Sequence, residues 1–181
     1  RALVQFSLNK YQDTLISCDH IIKHKQDTAD VWYYHGLALY HLDHPEKAIA
    51  SYDRALELEP ENTDIWSYRA IALEDCDFLD EALESYNKIL TINNNDANTW
   101  YNRGVLLDDM ERYIDAMLSY EKALTLNPDD VDTLINLGIM YNFFNRYSDA
   151  LKVCDHALTF TSKDELLWYT RGLTLNGLKR Y

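Results

Sequence analysis

His20 and His24 lie one helical turn apart, a spacing at which two imidazoles can share a metal ion. No third ligand stands nearby, and His156 has no histidine four residues on. The pair therefore reads as surface histidines, and no metal ligand is assigned. The cysteines, Cys18, Cys76 and Cys154, form no CxxC pair. Nucleophilic catalysis needs a Ser or Cys beside a base, but Ser51, Ser85 and Ser119 recur 34 residues apart. A residue that recurs in this way does what every copy does. A phosphate-cradling loop needs clustered glycines, and the chain has five, all scattered. Four of them are packing residues and Gly177 stands alone in a turn. No cofactor, catalytic residue or enzyme activity is expected within this segment.

The same period governs the rest of the chain. Trp32, Trp66, Trp100, Leu134 and Trp168 are each 34 residues apart. A second block, SYDRALELEP from Ser51, SYNKILTINN from Ser85 and SYEKALTLNP from Ser119, keeps the same step. Each copy holds two helical patterns. Trp32, His35, Gly36 and Leu39 share one helix face, as do Ala48, Tyr52 and Ala55. Pro45 suits the first turn of a helix, and Pro60 and Pro128 stop one. The spacing predicts A helices over 29–42, 63–76, 97–110, 131–144 and 165–178. B helices are predicted over 45–58, 79–92, 113–126 and 147–160. The units are 1–28 (the end of an A helix plus a B helix), 29–62, 63–96, 97–130, 131–164 and 165–181 (an A helix only), all in one domain. Small residues at one phase, Gly36, Ala70, Gly104, Gly138 and Gly172, let paired helices approach closely.

Trp32, Gly36, Leu39, Ala48, Tyr52, Ala55 and Pro60, and again Trp100, Gly104, Leu107, Ala116, Tyr120, Ala123 and Pro128, fill the pattern W-x2-L-G-x2-Y, A-x3-F, A, P. This resembles the tetratricopeptide repeat over nearly the whole chain. Departures are His35, Arg69, Arg103 and Arg171 in place of Leu, Cys18 and Cys154 in place of an aromatic, and Asn94 and Ser162 in place of Pro. The resemblance implies an all-α, right-handed superhelical solenoid of helix-turn-helix repeats. It also implies that A helices line a concave groove.

By family register the groove takes Tyr33, Leu37 and Tyr40 from the first full unit, and Ser67, Ile71 and Glu74 from the second. The third adds Asn98, Tyr101, Asn102, Val105 and Asp108; later units add Ile135, Asn136, Ile139 and Tyr169. Tyrosine offers large contact area at small entropy cost. Tyr33 and Tyr101 have a second reading, packing between neighbouring units. The resemblance gives Asn102 and Asn136 a role on a bound peptide's backbone, since an amide both donates and accepts. Family members that clamp an acidic carboxylate tail do so with Lys and Arg. The matching positions here carry Asp30, Asp64 and Asp132, or Tyr33, Ser67 and Tyr101, so no such tail is expected.

Net charge is −13, which argues against nucleic acid. Over half of the 30 acids stand near helix starts, where they complement the helix dipole. No apolar run is long enough to span a membrane. Cysteines at core phases read as a reducing, cytoplasmic setting. The expected function is a scaffold that binds an extended or helical segment, apolar or basic rather than acidic, of another protein. The alternatives are self-association through an open C-terminal end, or a regulatory arm of a larger protein with its catalytic domain elsewhere.

Overall fold

Each A helix has a local cause. At the five A-helix starts, Thr28, Asn62, Asp96, Asp130 and Asp164 each accept a hydrogen bond from a first-turn amide. The A helices end at a residue followed by a left-handed turn, at Asp43, Asp77, Glu111, Asn145 and Lys179, with φ between 54° and 63°. After the first four, the next amide donates five residues back: His44 to Leu39, Phe78 to Leu73, Arg112 to Leu107 and Arg146 to Tyr141. This closure satisfies the open carbonyls and turns the chain back within three residues.

A computed structural model describes residues 10–179. The expected end of an A helix within residues 1–9, and the last two residues of the 165–181 unit, lie outside the described residues. All ten elements among the described residues are helices, in two compact units. Arg1–Asn94 holds α1 (Tyr11–Lys23), α2 (Ala29–His41), α3 (Pro45–Leu58), α4 (Thr63–Asp75) and α5 (Leu79–Ile92). Asn95–Tyr181 holds α6 (Ala97–Asp109), α7 (Tyr113–Leu126), α8 (Val131–Phe143), α9 (Tyr147–Ala157) and α10 (Glu165–Gly177). In each unit every helix packs on the next, and A helices also touch each other, α2 with α4 and α8 with α10. This is the packing of an α-helical solenoid.

The A helices each end one residue before the predicted bound, and α9 falls three residues short, ending at Ala157 rather than 160. The Thr159 and Phe160 amides donate to carbonyls three residues back, at 2.9 and 3.0 Å, and the Thr159 hydroxyl also takes the His156 carbonyl at 2.7 Å. A hydroxyl that takes a helix carbonyl favours this tighter turn.

The first unit's core joins Leu37, Leu39, Ala48, Tyr52, Ala55 and Ile65; the second's joins Leu134, Ile135, Cys154, Ala157 and Leu167. Close approach is set by glycine. A Cβ on Gly36 would stand 2.6 Å from the Tyr52 ring, and one on Gly104 2.6 Å from Tyr120. Gly138 faces the Cys154 sulfur, whereas a Cβ on Gly172 would meet nothing within 4 Å. Gly177 is not in a turn but closes α10, where a Cβ would stand 2.4 Å from the Tyr147 ring.

Candidate protein-binding face

Three tryptophans anchor the start of their A helices. The Trp66 indole donates to the Pro60 carbonyl at 2.8 Å and Trp168 to the Ser162 carbonyl at 2.9 Å. Trp32 donates to Asp27 at 2.8 Å, a bond that holds this carboxyl below its usual range. With the A helices anchored, their outward faces form the candidate surface.

In the first unit that face is aromatic and acidic. Tyr33 is half-buried against Tyr34, Tyr52 and Tyr68, with centroids 5.3, 6.4 and 5.7 Å away. It therefore both packs and presents an edge. The Tyr40 hydroxyl donates to Asp75 at 2.6 Å, and the Tyr86 hydroxyl donates to Glu74 at 2.5 Å. The Asp75 hydrogen bond and burial push the Tyr40 phenol up to about 12. Ser67 spends its hydroxyl on the Thr63 carbonyl, and Ile71 is exposed. Leu37 does not line this face: it is 2 % exposed, because α4 closes over it and brings Ile65 and Ala72 into the same cluster.

In the second unit Asn98 and Asn102 are exposed, and Val105 and Asp108 are half-buried. Burial, then the neighbouring Asp109 charge, raises the Asp108 carboxyl. Tyr101 lies 6.0 Å from the Tyr120 ring. Asn136 hydrogen-bonds Tyr101 and Tyr120, so its amide is partly spent inside the protein. Ile135, 4 % exposed, is core under α10, packed with Leu167. Ile139 lines a cleft of about 550 Å³ between α8 and α10, together with Phe143, Leu166, Tyr169 and Leu173. No charged side chain lines it. Tyr169 is 64 % exposed.

The polar residues that replace the family's Leu escaped a functional reading from sequence. Arg69 donates to Ser85 and to Asp53, both at 2.7 Å. Arg103 donates to Ser119 at 2.6 Å, and Arg171 to Asp155 at 2.6 Å. His35 does the same between Ser51 (2.8 Å) and Asp19 (3.2 Å). The signal was present, since each Ser stands 16 residues after its Arg or His. Asp19, His35 and Ser51 have the residue types of a hydrolase triad but not its situation. Ser51 is 3 % exposed in mid-helix, and its hydroxyl reaches its own helix's Lys47 carbonyl at 3.1 Å. Arginine in the sister sites marks the trio as a clip between helices. Burial lowers the His35 imidazole, opposed by Asp19.

His20 and His24 are exposed and stacked at 4.3 Å, with His24 Nδ1 at 2.7 Å from the His20 carbonyl. Cys18 and Cys154 are free thiols pushed up to about 11 by burial, which makes them poor nucleophiles. Among the described residues no helix is long and apolar enough to cross a membrane.

A model of the tetratricopeptide repeat matches residues 29–62 and 97–130, and a second such model matches 119–152. The chain belongs to the tetratricopeptide repeat family. No curated protein matches the sequence. Among solved structures, MamA is 17 % identical, with 87 % of this chain and 92 % of that one covered at a TM-score of 0.81. YrrB, described as a TPR protein with an unusual peptide-binding site, is 19 % identical (94 % and 88 % covered, TM-score 0.82). A tetratricopeptide repeat protein from Parabacteroides merdae is 18 % identical (99 % and 71 % covered, TM-score 0.81). At such identities the likeness is one of fold. The tetratricopeptide repeats themselves support a role as a protein-interaction scaffold.

Proposed function

We propose that this tetratricopeptide protein is a non-catalytic adaptor that binds an extended segment of another protein along its A-helix faces. The observation that carries this reading is the uncharged cleft between α8 and α10, with Tyr169, Leu166 and Leu173 exposed by 64, 50 and 45 %. Exposed apolar area of this kind, gathered in one concavity, is what an interaction site offers. Asn102, exposed on α6, supplies an amide for a bound backbone. The partner segment is apolar or basic, since these A-helix positions carry acids and no Lys or Arg. Buried free cysteines fit a reducing, cytoplasmic setting.

The test is affinity capture from the source lysate with the full chain, beside a Tyr169→Ala, Leu173→Ala, Asn102→Ala variant. All three side chains are exposed, so circular dichroism should be unchanged. A partner held by the first and lost, by about tenfold or more, from the second supports the groove. Equal capture moves the binding surface elsewhere.

A second reading is favoured by Gly172, whose open side in the other copies takes a B-helix side chain. Trp168, 48 % exposed on the same helix, extends that open surface. Self-association through α10 would appear in sedimentation equilibrium as a mass that rises with concentration, and a constant monomer mass would dismiss it.

A further inference from the structure

This inference rests on the groove reading and names what one part of the face takes. On the A helices of the first unit, Tyr33, Tyr34 and Tyr68 form an aromatic patch, with Tyr52 closing it from behind. Tyr68 is 37 % exposed, and Ile71, one turn on, is 36 % exposed. Asp64 lies one turn before Tyr68 on α4 and is exposed. Its charge reaches the Tyr33 phenol and helps burial and Tyr68 to push that phenol up. Asp75 and Glu74 on the same helix already accept from Tyr40 and Tyr86. Asp64 makes no hydrogen bond or ion pair among the described residues. Its place in the first turn of α4 satisfies the helix dipole, but that leaves its outward oxygens open.

Elsewhere the chain builds this constellation with all its parts, as where Arg69 lies over the Trp66 ring and pairs with Asp53. In the second unit the Arg146 guanidinium sits 4.2 Å from the Tyr141 ring centroid. It pairs there with Asp149 at 3.0 Å and Glu121 at 3.5 Å. The first unit's patch has the ring and the carboxylate without the cation. We propose that it is a seat for an arginine side chain of the partner segment, stacked on Tyr68, donating to Asp64 and resting its methylene stem on Ile71. Arginine fits better than lysine, because a planar guanidinium stacks on a ring while its edge forks onto a carboxylate. An acidic residue would meet like charge on a chain of net charge −13. An apolar one would desolvate Asp64 with nothing in return.

The test uses the full chain with labelled tyrosine rings and four eight-residue peptides, in which Gly alternates with Arg, Lys, citrulline or Leu. The expected result is that the Arg peptide binds about tenfold or more tighter than the isosteric, uncharged citrulline peptide. It also binds more tightly than the Lys peptide, and it shifts the Tyr33 and Tyr68 ring resonances. Asp64→Asn and Tyr68→Leu should each weaken it about fivefold or more. Glu84→Gln, the same loss of charge on an exposed site of α5, should leave it within about twofold, since exposed and distant charges act weakly. The seat is overturned if Asp64→Asn does no more than Glu84→Gln, or if Lys and Arg peptides bind alike. Binding of the Leu peptide alone, with shifts on A-helix tyrosines, would overturn the arginine seat and leave the groove standing. Binding by none of the four would remove both.

Discussion

Tyr52, Tyr86 and Tyr120 stand at one repeat phase and are all buried, yet their hydroxyls meet different ends. Tyr86 donates to Glu74, and Tyr120 meets Asn136. The Tyr52 hydroxyl is buried with no hydrogen-bond partner among the described residues. The reason lies one repeat back: the position of Glu74 is Tyr40, whose own hydroxyl is committed to Asp75. A buried hydroxyl without a partner costs free energy, whereas one bound to a carboxylate contributes it. Tyr52→Phe should therefore be neutral or stabilising by up to about 1 kcal/mol, while Tyr86→Phe should cost about 1–3 kcal/mol. Urea unfolding midpoints of the full chain decide this, and the reverse order would refute the account. The phase of these tyrosines was legible in sequence. Which hydroxyl would be paired was not, because the acceptor comes from a different helix.

Among helices and turns, the recurrent feature is a left-handed residue after each A helix, and none of the five is glycine. An L-residue pays about 1–2 kcal/mol in that conformation, less for Asn and Asp, and glycine returns about 0.5–1 kcal/mol of this through its entropy. Glu111→Gly should then stabilise the chain by about 0.5–1 kcal/mol, Asp77→Gly by less, and Asn145→Gly hardly at all. The measurement is the shift in denaturation midpoint at unchanged slope; a loss of stability in Glu111→Gly would contradict the assignment. Helix starts were legible from their caps and from Pro45. These turns were not, since no glycine advertises them and the φ sign follows from the closing hydrogen bonds.

For the molecule as a whole, repeats owe their stability to neighbours, so protection from exchange should follow how well each helix is covered. Within Asn95–Tyr181, α8 lies between α7 and α9 and also touches α10, with Leu134, Leu137 and Met140 buried. By contrast, α10 leaves Leu166, Trp168, Tyr169 and Leu173 exposed. Amide exchange in α10 should be faster than in α8 by about tenfold or more at the same pH, reflecting local opening. Uniform protection across both helices would mean that the unit opens only as a whole.

The 34-residue period alone determined the all-α class, the helix order and the packing role of Gly36, Gly104 and Gly138, because each copy restates the same local instructions. Periodicity also assigned side chains to the A-helix face, but it treats every copy alike. Tertiary structure broke that equivalence. It buried Leu37 and Ile135 where a second A helix closes on them and left Tyr169 and Leu173 open. It spent Glu74 and Asn136 on neighbouring tyrosines and left Asp64 unspent. The sequence of one helix carries its own periodicity, but the cover over a given side chain depends on which helices meet there.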